Sequence, residues 1–187
     1  MLFFKEYIAS IKPFSEESWC VLRSCLAEES FAPKQSILKE GQVCKAVYFV
    51  ISGLCKASYN AEGKEINTAF YPENHFFTNI QSIQKGTGAA YDLKACEPST
   101  VLRIDRARLL EAYRLSHEIE AFGRKILEQI SARSEEEANT FRLLTPRQRY
   151  ENLLARQPQL CQRLSQTELA SYLGTSRESI SRFRARK

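Results

Sequence analysis

Arg177, Glu178, Ser181 and Arg182 are the side chains whose types and spacing point most directly to chemistry. They fall in the stretch SQTELASYLGTSRESISR, residues 165–182, which reads as two short helices around a tight turn. Ile180 and Phe183 lie three apart and face inward, so Arg177, Glu178, Ser181 and Arg182 occupy the outer side of the second helix. A helix pair of this shape lays its second member in a DNA major groove, where such side chains hydrogen-bond to base edges.

The residues that must position this face are legible beside it. Ser165 with Glu168 makes a capping box: the hydroxyl accepts from the third helical amide and the carboxylate reaches back to the cap amide. Leu169, Ala170 and Leu173 follow at helical spacing. Gly174 comes where a left-handed residue ends a helix without steric cost, and Ser176 is a good N-cap for the next one. Charge is segregated in the same region. Residues 146–187 hold 9 Lys and Arg against 3 Asp and Glu, a balance of +6, while the preceding residues balance at −1. Phosphate neutralisation dominates nucleic-acid affinity, so a separate basic segment is the expected footprint. A basic helix lying on a membrane is a poorer fit, because Pro158 and Gly174 interrupt the segment.

A chain of 187 residues with 43% hydrophobic content can build a core as one large or two small domains. No apolar run approaches the roughly 20 residues that span a bilayer, and Lys5, Glu6 and Lys12 break the first apolar stretch, so it does not read as a signal peptide. The expected compartment is the cytoplasm, with no membrane partner. Six cysteines, at 20, 25, 44, 55, 96 and 161, include no C-x-x-C pair and are expected as buried small hydrophobes. His75 and His117 lack the clustered partners of a metal site or a jelly-roll enzyme, and no Ser/His/Asp or Cys/His arrangement stands out. Neither a metal, nor a cofactor, nor enzymatic activity is expected.

The N-terminal part carries a different signature. Residues 15–27 predict a short amphipathic helix with Trp19, Leu22 and Leu26 on one side. Short β-type runs follow at 36–38, 46–51, 55–59, 66–71, 90–95 and 100–104, separated by Glu40-Gly41, Ser52-Gly53, Glu62-Gly63, Pro72, Gly86 with Gly88, and Pro98. This pattern predicts an antiparallel barrel or jelly roll. Residues 106–114 predict a short helix, and Ser116 caps a long one reaching about Leu144. Its stripe of Ile119, Phe122, Ile126 and Ile130 packs either on the chain's own barrel or on a second copy; the helix length favours the dimer contact. Thr145-Pro146 starts a further helix and marks a domain boundary. The expected class is α+β: a jelly-roll domain over 1–115, a connecting helix over 116–144 and a helix-turn-helix domain over 145–187.

This order of parts resembles the CRP/FNR family of bacterial transcription regulators. The resemblance rests on Lys39-Glu40-Gly41 and Val47-Tyr48-Phe49-Val50-Ile51-Ser52-Gly53 in the barrel, and on Ser176-Arg177-Glu178-Ser179-Ile180-Ser181-Arg182, which matches the family's S-R-E-T-V-x-R recognition helix. It implies a homodimeric, sequence-specific DNA-binding regulator, with RNA polymerase as a further candidate partner. The family's base-reading roles fall on Arg177, Glu178 and Arg182, with Ser181 on the same face. Arg can bond guanine O6 and N7 bidentately and Glu can accept from cytosine N4, so Glu178 and Arg182 can read one G·C pair together. Gln166, Thr167, Thr175, Ser176, Ser179, Arg184 and Arg186 are placed for phosphate contact, which sets register and not sequence.

Two departures from the family narrow the expectation. The family's F-G-E-L and R-S/T-A segments hold the ribose and phosphate of a cyclic nucleotide. The corresponding stretches here read His75-Phe76-Phe77-Thr78-Asn79-Ile80 and Gly88-Ala89-Ala90-Tyr91-Asp92, without the Gly, Glu or Arg. A buried phosphate needs a charge-assisted partner, so cyclic AMP is not the expected effector. Phe76, Phe77, Thr78, Lys85, Ala89 and Ala90 remain the candidate effector pocket. The short stretch from Pro158 to Leu164 also leaves little room for a β-hairpin wing. The competing function is a regulatory or interaction module of cyclic-nucleotide-binding type without a DNA role.

Overall fold

The six β-type runs all form strands, and two more join them. The computed structural model describes residues 2–185. Among these the strands are β1 (Leu26–Phe31), β2 (Ser36–Leu38), β3 (Ala46–Ser52), β4 (Cys55–Ala61), β5 (Lys64–Tyr71), β6 (Phe76–Phe77), β7 (Asp92–Ala95) and β8 (Ser99–Asp105). They make two four-stranded sheets in the orders β1-β8-β3-β6 and β2-β7-β4-β5. The β1–β8, β3–β8, β3–β6 and β2–β7 pairs are antiparallel. Gly53 makes the β3–β4 turn at φ +91°, where a Cβ would sit 2.5 Å from the Pro98 carbonyl oxygen, so only glycine fits.

The helices are α1 (Leu2–Ile11), α2 (Glu16–Ser24), α3 (Ile80–Lys85), α4 (Arg106–Leu115), α5 (His117–Leu143), α6 (Pro146–Arg156), α7 (Pro158–Arg163), α8 (Gln166–Leu173) and α9 (Arg177–Ala185). The helix expected over 15–27 is shorter. Its apolar periodicity runs through Leu26, but Leu26 pairs with Ile104 and begins β1. Six consecutive pairs to β8 outweigh one more half-turn of helix. Among the described residues no cysteine is in a disulfide; Cys20 is exposed, contrary to expectation, while Cys25, Cys44, Cys55 and Cys161 are buried.

By packing, the chain divides into Met1–Lys56 with Phe70–Ile130, and Ala57–Ala69 with Ser131–Lys187. In the first unit β3 is buried on both faces, which is why its sequence is a continuous apolar run rather than an alternation. Val47, Phe49 and Ile51 face a core shared with Phe4, Ile8, Trp19 and Leu22 of the N-terminal helices. Tyr48 faces the other way and stacks on Phe77, whose ring stacks in turn on Tyr71 of the second sheet.

The stripe on α5 is corrected by this packing. Ile119, Phe122 and Ile126 are 0%, 2% and 6% exposed within the single chain. They belong to the same core as Phe4, Trp19, Phe49 and Phe76, and Ile130 packs against it. The N-terminal helices supply apolar surface that the helix period alone does not reveal, so Ile119, Phe122 and Ile126 are covered within the single chain, while Ile130 stays half-buried.

The start of α5 is pinned by Glu118. Its carboxylate accepts from the Ser15 backbone N–H at 3.0 Å and the Ser15 hydroxyl at 2.7 Å. The Ser18 hydroxyl, followed by these two donors, holds it down to about 2 from 4.5. A depressed folded pKa contributes stability that is present above about 4.5 and lost as pH falls towards 2. Glu118→Gln therefore narrows the gap to the parent chain as pH falls through that window. Thermal unfolding from pH 6 to pH 2 checks this; a gap that stays constant would show that the carboxylate does not act this way.

The second unit holds the C-terminal half of α5, α6 to α9 and the β4–β5 hairpin. β5 is an edge strand, and Ser171 of α8 completes one rung along it. Its hydroxyl accepts from the Asn67 N–H at 2.9 Å and donates to the Glu65 carbonyl at 3.0 Å. Two backbone groups that an open edge would leave to solvent are thereby satisfied.

Candidate nucleic-acid interface

Local sequence sets the ends of α8. Ser165 accepts from the Glu168 N–H at 3.2 Å, while the Glu168 carboxylate accepts from the Ser165 N–H at 3.0 Å. Gly174 takes the left-handed conformation at φ +61°, and the Thr175 N–H reaches back to the Ala170 carbonyl at 2.9 Å. Ser176 caps α9 by accepting from the Ser179 N–H at 3.2 Å. The stretch Pro158 to Arg163 is the helix α7, so no β-hairpin wing precedes the helix pair among the described residues.

Burial then separates the two faces of α9. Ile180 is fully buried, and Phe183 is half-buried with its ring 5.8 Å from that of Tyr150 on α6. Leu160, Cys161, Leu164, Leu169, Ala170 and Leu173 are buried alongside. Arg177, Glu178, Ser181 and Arg182 are all exposed on the other side. The Glu178 carboxyl lies below the usual range, chiefly through its own backbone N–H, so this acceptor stays ionised at neutral pH. Of the residues expected at phosphates, Thr167, Ser176 and Arg184 are exposed, and Gln166, Thr175 and Ser179 are half-buried. Arg184 donates one N–H to the Cys161 carbonyl at 3.2 Å, and Ser179 is hydrogen-bonded to Arg182. Arg186 lies outside the described residues.

Sequence reasoning did not single out Arg149. Its guanidinium donates to the carbonyls of Leu144 at 3.0 Å, Leu173 at 2.8 Å and Phe141 at 3.2 Å, and lies 4.4 Å from the Phe141 ring centre. One side chain thus satisfies carbonyls at the ends of α5 and α8. Arg147 pairs with Glu151 at 2.8 Å, and Arg156 pairs with Glu136. Part of the basic charge in residues 146–187 therefore braces helix ends or is paired with a carboxylate at the surface, and the charge count alone overstates the net positive charge that region presents.

Residues 28–115 match the cyclic nucleotide-binding domain family. No curated protein matches the sequence. Several solved structures match its fold over most of their length. FixK2 from Bradyrhizobium japonicum shares 20% identity, with 86% of this chain and 83% of that one covered at a TM-score of 0.71. The global regulator CLP from Xanthomonas campestris shares 18% identity over 92% and 91%, also at 0.71. A CRP-family transcriptional regulator from Thermus thermophilus shares 20% identity over 84% and 83%, at 0.64. The chain has the CRP/FNR fold.

Within this CRP/FNR fold, the residues expected to form an effector pocket do not converge. Phe76 and Phe77 are neighbours on one strand and point to opposite faces. Phe76 lies in the core with Phe4, Phe49 and Phe122, and only Phe77 enters the space between the sheets. Phe77 is fully buried there, 5.3 Å from Tyr48 and 4.9 Å from Tyr71. Burial pushes the Tyr48 hydroxyl up to about 12. The Thr78 hydroxyl donates to the Ala46 carbonyl at 2.9 Å, and the Ala89 N–H donates to the Gln42 carbonyl at 2.8 Å. Lys85 and Ala90 are exposed. Of these expected pocket residues, Thr78 and Ala89 are thus engaged by the protein, and Lys85 and Ala90 face solvent. Among the described residues, no three His, Cys, Asp or Glu side chains form a metal cluster. No described helix is long and apolar enough to cross a membrane.

Proposed function

We propose that this chain is a sequence-specific DNA-binding transcription regulator that acts as a homodimer in the cytoplasm. The observation that carries the reading is the two-sided α9: Ile180 and Phe183 anchor one face while Arg177, Glu178, Ser181 and Arg182 are exposed on the other. The CRP/FNR fold, shared with proteins described as transcriptional and global regulators, supports it. Two such helices occupy successive major grooves about 34–36 Å apart on a near-palindromic site. The dimer seam moves to the exposed face of α5, where Leu127, Ser131, Ser134 and Ala138 recur at four- and three-residue spacing. On this reading residues 1–115 are the sensor-like part, 116–144 the connector and 145–187 the DNA-binding part.

Selection of binding sites from random DNA, followed by gel-shift titration against salt, tests the proposal. A selected palindrome bound by two chains, with affinity falling steeply as salt rises, is the expected result. Arg182→Ala or Glu178→Ala costs about 1–3 kcal/mol and relaxes preference at one base pair. A uniform loss across all sequences would assign these residues to phosphate. With no selected sequence and no salt-dependent binding, the chain would be a regulatory module without a DNA role.

A further inference from the structure

We propose that Ser179 is a specificity-determining positioning residue, whose hydroxyl holds the Arg182 guanidinium ready to read a base edge. The inference rests on the DNA-binding reading and deepens it. Ser179 lies three residues before Arg182, one turn away on the same side of α9. The Ser179 Oγ accepts from Arg182 Nη2 at 3.1 Å and from the Ser176 hydroxyl at 3.2 Å. The Ser179 backbone N–H donates to the Ser176 Oγ at 3.2 Å. Ser176 is the cap of α9, so this chain of hydrogen bonds ties the tip of a long side chain to the fixed end of its helix.

The donor inventory permits this. A guanidinium has five N–H donors, and one engaged by Ser179 leaves enough for a bidentate contact to guanine O6 and N7. With both its contacts to Ser176 and Arg182 made as an acceptor, the Ser179 hydroxyl still has its own proton to donate outward, which is compatible with a phosphate contact. Arginine loses much rotamer freedom when it docks, and a side chain already held loses less. Misplaced bases gain nothing from that orientation, so the restraint sharpens discrimination at the pair that Arg182 reads. This differs from a plain phosphate contact, which strengthens binding to every sequence alike.

The test uses the full chain on its selected site and on the three base-pair substitutions at the position where Arg182→Ala abolishes preference. Ser179→Ala is expected to lower discrimination at that pair about three- to tenfold while leaving other positions unchanged. Ser179→Thr restores it. Ser179→Val, which matches threonine in shape without the hydroxyl, repeats the loss and guards against an effect of packing. Discrimination by Ser179→Ala equal to that of the parent chain overturns the proposal, as does an equal loss on every sequence. A parent chain that shows no base preference would instead overturn the DNA-binding reading itself, and the two failures are told apart in the same titrations.

Discussion

Replacing Phe122 by alanine lowers the stability of the single chain by about 3–5 kcal/mol. For a chain of this size that is a fall of about 6–20 °C in melting temperature. The ring meets Phe14 edge-on at 5.6 Å and Phe76 at 6.1 Å, in a core with Trp19, Leu22 and Phe49. Removing it leaves a void that neighbours on two rigid helices and a sheet cannot fill, so the cavity cost adds to the lost transfer energy. The fall is expected to be independent of protein concentration, because every contact is within one chain. Calorimetry over a hundredfold range of concentration checks this. A loss that deepened on dilution would return Phe122 to an interface between copies, since subunit association enters stability by mass action.

Phe77→Ala is expected to cost a similar amount, about 3–5 kcal/mol, by opening a void between the sheets. The ring stacks on Tyr48 and Tyr71 and is fully buried. The void alone does not create a nucleotide site, because the Ala89 N–H and the Thr78 hydroxyl remain bonded to Gln42 and Ala46. Millimolar cyclic AMP is accordingly expected to leave the melting temperature of both the parent chain and the variant unchanged. A ligand that binds only the folded state raises that temperature in proportion to the logarithm of its concentration. Such a rise in the parent chain would show that the filled cradle opens.

Much of the fold and of the candidate site is legible in the sequence because its signals are local. Gly53 and Gly174 mark left-handed turns, and the Ser165–Glu168 pair marks a helix start, all within a few residues of where they act. What was not legible is non-local. Residues 2–11 carry a mixed pattern, and their helix is defined by burying Phe4 and Ile8 in a core built by distant strands. The two-residue strand β6 exists only because Phe76 and Phe77 pair with Phe49 and Tyr48. Arg149 gave no signal either, since the carbonyls it bonds come from two separate helix ends, one of them 24 residues away in the chain.

The sequence by itself determined the helix pair at residues 166–185 and which side chains lie on its outer face. Caps, turn glycine and apolar period act over one or two turns and need no partner to be read. Tertiary structure alone decided what covers each apolar surface. An apolar stripe such as Ile119, Phe122 and Ile126 has the same period whether it meets its own chain or a second copy, and only the position of Phe4, Trp19 and Phe49 in space settles that it meets its own. It likewise decided that Phe77 fills the barrel while Phe76 turns away, because adjacent residues on a strand face opposite sides and only the placement of two sheets says which side is inside.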